Sequence, residues 1–497
     1  MVFKTARGTR DFLPVDMIKR DYVEKIVKEI FESFGFQRIQ TPTFEEFELF
    51  AKRSGEEIRD GMFTFFCDNQ EYALRPELTA AVCRLITTGK LNIPKPYEVY
   101  YIGQCFRYER PQSGRYREFT QAGLELMGTK SPMADAKVIA VAATVLERLG
   151  ITNYNLKIGN IGIYRELLKE KGFEFDKQCE IIGAINRVLD AREKLGIVSA
   201  KEKFEESDKE FILNKLNEIY EKQNKIGYSG EHEVLPVAEK NINDKFLRDS
   251  AKKLPKIFEE TNKLMLIQRF EIKKDFADLL FKISEIKGKR KDVEETAKNI
   301  LKDTSALKIL KELIEVLDWL ENYGINKYEM VLGVARGLDF YTDTVFEFDL
   351  PFLGAQKQVC GGGRYDKLVE EFGGPSTPAT GFAFGFDRLT EALEKTGKDK
   401  GLNYSKADIM VIAIDRKFLP KTLEIMQELR ENGIKCQEDL NFLGLNQQID
   451  YARKVNINYI IVIGDNEIKA KKVKVKNLKT NEEKGVQIGK IADFFKK

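Results

Sequence analysis

The chain has 497 residues, a formal net charge of +3 and ordinary apolar and charged fractions, which is too long for one core and fits about three domains. No apolar run reaches the roughly 18 residues of a membrane span, and Lys4, Arg7 and Arg10 have no apolar segment behind them, so the start does not read as a secretory signal. A balance this close to neutral neither demands nor excludes a nucleic-acid partner.

The first predicted element is a helix capped by Asp16 and running to Phe34, with Gly35 as its stop. Ile18, Tyr22, Ile26 and Ile30 give it a wide apolar stripe. "FQRIQTP" then reads as a strand ending at Pro42. Residues 72–128 alternate strand and turn, and residues 137–149 read as a helix. From about 165 to 325 the texture changes to long Lys/Glu-rich helical patterns. Strand signals return over 329–363, followed by a glycine-rich region and a helix between Gly381 and Lys395. "TGKDKGLNYSK" reads as a linker. Strands and helices alternate again from residue 407 to 497, which predicts a small α/β domain.

Two residue types narrow the chemistry. The cysteines Cys67, Cys83, Cys105, Cys179, Cys360 and Cys436 are too far apart for a zinc knuckle or redox motif, so reduced thiols in a cytoplasmic protein are expected. The single histidine, His232, sits in polar "SGEHEVL" and reads as a surface residue. With no imidazole to act as base or metal ligand, chemistry is expected from carboxylates, arginines and a bound ion, and no resident metal site is predicted.

The most informative stretch is "FRYERPQSGRYREFTQAGLELMG", Phe106–Gly128. Side chains alternate across a strand, so Phe119, Gln121, Gly123, Glu125 and Met127 share one face. Gln121 and Glu125 are then roughly 13 Å apart, and Gly123 between them is expected to let something approach the backbone. On the preceding strand Tyr101, Gly103, Cys105 and Arg107 share a face, and antiparallel pairing would put Arg107 on the floor that carries Gln121. Arg110 and Arg115 at the turn are either phosphate-binding forks or mobile surface charges. In "YALRPELTAAV", Glu77 either complements a helix dipole or receives an ammonium group. "RGLDFYTDTVFEF" places Arg336, Asp339 and Tyr341 just before a strand. "CGGGRYD", Cys360–Asp366, is too glycine-rich for a strand interior and suggests close approach of a ligand. "GFAFGFDRL" puts Arg388 in the first turn of a helix, where an anion or an aromatic base would compensate its charge.

Taken together these segments resemble the class II aminoacyl-tRNA synthetases, and within them the histidyl-tRNA synthetase family. The helix and strand ending at Pro42, "FRYERPQSGRYREF" and "GFAFGFDRL" are similar to the three class motifs. "RGLDFYTDTVFE" and "GGGRYD" resemble the two histidine-specific signatures, and "LRPELT" the amine-binding segment. The resemblance covers about 1–165 and 325–497. It implies an α+β fold: an antiparallel sheet flanked by helices (1–165 and 326–397), a helical insertion (166–325) and a C-terminal α/β anticodon-binding domain (404–497). It further implies that Glu77, Leu78, Thr79 and Gln121 meet the backbone groups of L-histidine. Glu125 and Tyr341 would grip the imidazole, with Phe340 and Tyr365 closing the pocket. Arg107 and Arg336 would hold the α-phosphate of ATP, Arg115 the outer phosphates together with Mg²⁺, and Arg388 the adenine or γ-phosphate. Gln121, Arg107 and Arg336 would thus carry activation, while Arg110 and Gln112 would touch the acceptor end of tRNA(His). A homodimer through the N-terminal helix and strand is implied too. Phe340 stands where a tyrosine is usual, Asp343 where glycine is common and Asp387 where glutamate is frequent. The alternative within the resemblance is a catalytically silent regulator sensing histidine or uncharged tRNA.

Overall fold

The computed structural model describes residues 3–52, 61–91, 93–108, 116–199, 206–227, 234, 244–333 and 340–495. The chain divides into two compact units, Met1–Asp11 with Arg20–Asp399 and Phe12–Lys19 with Lys400–Lys497. Strands of the first unit are β1 (Gln37–Arg38), β2 (Phe44–Glu46), β3 (Thr64–Cys67), β4 (Gln70–Leu74), β5 (Tyr97–Phe106) and β6 (Glu118–Met127). They continue as β7 (Asn155–Asn160), β8 (Lys287–Gly288), β9 (Glu329–Val331), β10 (Thr344–Asp349), β11 (Gln358–Arg364) and β12 (Ala379–Gly385). Among the described residues nine of them form one sheet in the order β1-β5-β6-β12-β11-β10-β7-β9-β8, and β2-β4-β3 form a second. Pairing in the large sheet is antiparallel except at β1–β5 and β7–β9.

Register assigns the two faces of the large sheet sharply different compositions. Tyr100 is paired with Leu124, Leu124 with Phe382, Phe382 with Gly362, and Gly362 with Phe346. On this face the Phe31 ring, near the end of helix Pro14–Ser33, meets Tyr100 at 5.4 Å and Phe382 at 5.9 Å. Helix Pro132–Arg148, with eleven buried residues, packs against β6, β11 and β12 of the same sheet. Residues directly opposite in a ladder share a face, so the other face carries Gly103 beside Gln121, Gly123 beside Ala383, Gly381 beside Glu125 and Gly363, and Gly361 beside Glu347. Glycines thus empty one face of the sheet while aromatics fill the other.

Several boundaries depart from the sequence reading. The strand expected over 36–42 is only Gln37–Arg38, although the Ile39 N–H continues the ladder to Tyr100 O at 2.8 Å. The helix expected at 137–149 starts at Pro132, which occupies the first turn. The first helix runs Pro14–Ser33, Asp16 lies inside its first turn, and Gly35 (φ +92°) ends it as expected. "CGGG" lies inside β11 despite its glycine content. A Cβ at Gly362 would reach Phe382 Cβ at 2.5 Å, and one at Gly363 would meet the Tyr341 ring at 2.9 Å, so these glycines make room for neighbouring side chains. Residues 381–385, expected as the entry to a helix, finish β12, and the helix itself is Phe386–Lys395.

Long helices occupy the middle of the chain as expected: Phe175–Ser199, Glu206–Lys225 and Asp244–Phe270, with the last packed against the other two. Helix Ala306–Asn322 packs instead on Pro132–Arg148. In the second unit, β13 (Ile409–Ala413), β14 (Cys436–Gln437), β15 (Tyr459–Ile463), β16 (Lys472–Asn477) and β17 (Glu483–Gln487) form a sheet ordered β14-β13-β15-β16-β17. The unbroken apolar run of β13 is explained by burial on both sides: Ile409 and Val411 join one core cluster with Ile425 and Leu429, and Met410 and Ile412 join another with Ala452 and Ile460.

Gly381 is the tightest point of the emptied face, since a Cβ there would overlap Glu125 Oε2 and reach Leu124 O at 2.5 Å. Gly381→Ala is expected to lower unfolding free energy by about 1–3 kcal/mol, whereas Gly401→Ala, which meets nothing within 4 Å, should leave it unchanged. Equal denaturant midpoints for the two variants would contradict this packing.

Candidate functional site

On the emptied face Glu125 is the deepest charged group, 1 % exposed. Three hydroxyls converge on its carboxyl: Thr79 Oγ1 and Tyr101 OH each donate to Oε1 at 2.9 Å, and Tyr365 OH donates to Oε2. Each comes from a different element. Thr79 opens helix Thr79–Thr87, Tyr101 lies on β5, and Tyr365 follows β11. Burial outweighs these hydrogen bonds and pushes the Glu125 carboxyl up to about 8, and the Tyr365 and Tyr101 hydroxyls are raised well above their ordinary value by the same burial.

The room at Gly123 belongs to Tyr101. A Cβ there would lie 2.7 Å from the Tyr101 hydroxyl and 2.5 Å from Phe382 O. The close approach expected at this glycine is therefore intramolecular, and it steers a hydroxyl onto Glu125. Gln121 accepts at its side-chain oxygen from the Cys105 thiol, 3.3 Å away on the opposite strand. Glu77 is buried and caps helix Thr79–Thr87: its carboxylate accepts from Thr79 N at 2.5 Å and Ala80 N at 2.9 Å. Leu78 between them is core, 2 % exposed.

Arg107 lies at the end of the same floor, as the alternation predicts. Its Nε donates to Pro76 O at 2.9 Å and its guanidinium sits 5.2 Å from the Phe119 ring centre. Arg388 donates to Gln358 O from the first turn of helix Phe386–Lys395. Phe340 and Tyr341 are both buried. Phe340 packs 4.8 Å from Tyr341 and 5.5 Å from Tyr365, so the ring that lacks the usual hydroxyl braces the two tyrosines. Arg110, Gln112, Arg115, Arg336, Asp339 and His232 lie outside the described residues.

The other two departures have local partners. Asp387 accepts from Arg10 at 2.7 Å, Arg20 at 2.5 Å and the Thr120 backbone at 2.8 Å, tying two N-terminal arginines to β6. Asp343 fits only because residue 162 is glycine, where a Cβ would lie 2.6 Å from its Oδ1. Burial, then the nearby Asp366, raises its carboxyl to about 6. Sequence reasoning overlooked Tyr101 as a partner of Glu125, although the alternation already put it on the Gln121 face. It also overlooked the buried ion pair of Arg364 with Asp135, 2.9 Å long, which anchors the chain just before Tyr365 and has no sequence-local signal.

A predominantly antiparallel sheet, lined with buried polar groups on one face and helices on the other, defines the catalytic fold of the class II aminoacyl-tRNA synthetases. The crystal structure of a histidyl-tRNA synthetase from Nostoc sp. PCC 7120 shares it with a TM-score of 0.71 at 21% identity, covering 100% of this chain and 99% of that one. A Bacillus halodurans chain described as an ATP phosphoribosyltransferase regulatory subunit/histidyl-tRNA synthetase shares it at 0.64 and 21% identity, covering 93% and 98%. These likenesses show the fold alone. Sequence goes further: residues 8–244 and 244–389 match the family model of histidyl-tRNA synthetase, and 408–497 that of an anticodon binding domain. The chain is 34% identical over 495 residues to the histidine–tRNA ligase of Methanococcus aeolicus, covering 99% of this chain and 100% of the relative. It is 35% identical over 498 residues to that of Methanocaldococcus jannaschii, with the same coverage. This chain belongs to the histidyl-tRNA synthetase family.

The Glu125 carboxyl sets a pH signature that needs no substrate. Its folded-state value, about 8, lies above the ordinary 4.5, so between these values the folded protein keeps a proton that the unfolded chain releases. Its contribution to stability is complete below about pH 4.5 and lost as pH rises through 8. Glu125→Gln, a neutral isostere, lacks this loss. The melting temperature of Glu125→Gln minus that of the unsubstituted protein is expected to grow from pH 5 to pH 9, and a pH-independent difference would show that the carboxyl is already ionised at pH 5.

Proposed function

We propose that this chain is a histidine–tRNA ligase that activates L-histidine with ATP and passes it to the 3′ end of tRNA(His). The observation that carries the reading is the hydroxyl-ringed Glu125 on the glycine-emptied face, within a chain whose relatives of full length are named histidine–tRNA ligase. An imidazole has one N–H donor and one acceptor when neutral and two donors when charged. A carboxyl able to hold or release a proton near neutrality can meet either form. Tyr341 would take the other ring nitrogen. Thr79 and Gln121 would orient the backbone groups of the amino acid, with Glu77 offering its charge to the ammonium from the helix start. Phe340 and Tyr365 would shut out water.

Activation joins the histidine carboxylate to the α-phosphate and expels pyrophosphate. Negative charge builds on the α-phosphate oxygens, and Arg107 and Arg336 are the planar forks assigned to it. Arg115 and Arg388 would hold the rest of the nucleotide, and Arg110 and Gln112 the acceptor end. Mg²⁺ would neutralise the outer phosphates when bound, consistent with an ion that keeps waters and phosphate oxygens as ligands. Among the described residues no group of three His, Cys, Asp or Glu side chains comes together to hold a metal ion. The C-terminal unit, with its family match, is assigned to the anticodon. A homodimer through the N-terminal helix and β1, and action in the cytoplasm, complete the reading.

Histidine-dependent exchange of pyrophosphate into ATP tests it. Glu125→Gln keeps the shape and loses the charge, so a charge-assisted hydrogen bond of roughly 1.5–3 kcal/mol should disappear. The KM for histidine is then expected to rise about 10- to 100-fold with that for ATP unchanged. Arg336→Ala should slow activation on the order of 10²–10³-fold while histidine still binds. No exchange by the unsubstituted protein would favour a silent regulator.

A further inference from the structure

Arg165 belongs to none of the segments that resemble the family signatures, yet it is only 9 % exposed and reaches the backbone of Tyr341. It lies in helix Gly162–Glu170. Its Nε and Nη2 both donate to the backbone carbonyl of Tyr341, at 2.9 and 2.7 Å. The plane of the guanidinium is set from the other side: the Phe175 ring centre lies 4.2 Å from Cζ, and both terminal nitrogens approach the Cys179 sulfur at 3.7 Å. Phe175 and Cys179 are the first and fifth residues of helix Phe175–Ser199, the opening helix of the long helical stretch.

The segment is also held just behind Tyr341. Thr342 N donates to Arg364 O at 2.7 Å, and Asp343 O accepts from Ile161 N at 2.9 Å. The Tyr341 ring rests over Gly363, where a Cβ would intrude at 2.9 Å. Peptide and ring share one Cα, so a turn of the Tyr341 peptide would shift the ring in its packing against Phe340 and Gly363. The forked donation from Arg165 removes that freedom, and the stacking of Phe175 fixes the fork.

We propose that Arg165 is a positioning residue for Tyr341, and that helix Phe175–Ser199, through Phe175 and Cys179, sets the amino-acid pocket from outside it. The proposal rests on the reading of Tyr341 as an imidazole contact. It gives the helical stretch a task in substrate selection: movement at the start of that helix is felt as a change in affinity for the amino acid and not for the nucleotide.

The test is steady-state pyrophosphate exchange on the full chain, with KM for histidine, KM for ATP, kcat and melting temperature measured for each variant. Arg165→Gln, which cannot fork, should raise the histidine KM on the order of 10-fold with the ATP KM unchanged. Arg165→Lys should recover part of that loss. Phe175→Leu leaves every hydrogen-bonding group in place and should move the histidine KM the same way by a smaller factor; it carries the test if Arg165→Gln does not fold. In a Tyr341→Phe background, Arg165→Gln should add less than about 2-fold, because both act on one contact. Arg165→Gln and Phe175→Leu that lower only the melting temperature, or that change the histidine and ATP constants alike, would overturn the proposal while leaving an effective Tyr341→Phe intact. A silent Tyr341→Phe would overturn the pocket reading itself, and this proposal with it.

Discussion

A single carboxyl that cannot reach water organises the catalytic unit. Burying an ionised carboxylate costs several kcal/mol even after relaxation, so Glu125 is tolerable only if it is protonated or surrounded by donors. The fold supplies both. Thr79, Tyr101 and Tyr365 bring three hydroxyls from separate elements, and burial favours the neutral acid. Space for the side chain comes from Gly381 on the neighbouring strand, and space for the Tyr101 ring from Gly123. The apolar packing of Phe31, Tyr100 and Phe382 on the far face holds the strands in the register that makes those glycines opposite Glu125 and Tyr101.

Much of this was legible in the sequence, because strand alternation has a period of two and leaves no freedom once a register is chosen. Gln121, Glu125 and Gly103 could be put on one floor from spacing alone, and the ladder between β5 and β6 places them there, with Arg107 just past β5 over the Phe119 ring. The glycines were legible as places of close approach but not as to what approaches. A glycine on a strand records a missing side chain, and whether a ligand, a tyrosine ring or a backbone carbonyl fills the gap depends on strands far away in sequence. "CGGG" is a case in point: its glycine content argues against a strand interior and for close approach of a ligand, yet it lies within β11. Contacts such as Arg364 with Asp135, or Arg165 with Tyr341, span more than 170 residues and carry no periodicity. Short strands fail for a related reason: β1 has two residues, fewer than any alternation can reveal.

The departures from the family pattern are accommodated by their surroundings. Phe340 trades a hydroxyl for ring contacts with two tyrosines. Asp343 occupies the volume left by Gly162. Asp387 satisfies Arg10, Arg20 and a β6 backbone N–H at once, so a shorter acid there serves the N-terminal arm as well as the motif.

In the proposed function Glu125 is a neutral acid when the pocket is free and a recognition group when it is filled. The direct measurement is a ¹³C NMR titration of the Glu125 side-chain carboxyl, assigned by its loss in Glu125→Gln, without and with saturating L-histidine. The account predicts titration near pH 8 in the free protein and a clear fall when histidine binds, since an imidazole donor stabilises the carboxylate. Titration in the ordinary carboxylate range without ligand, or a value indifferent to histidine, would contradict it.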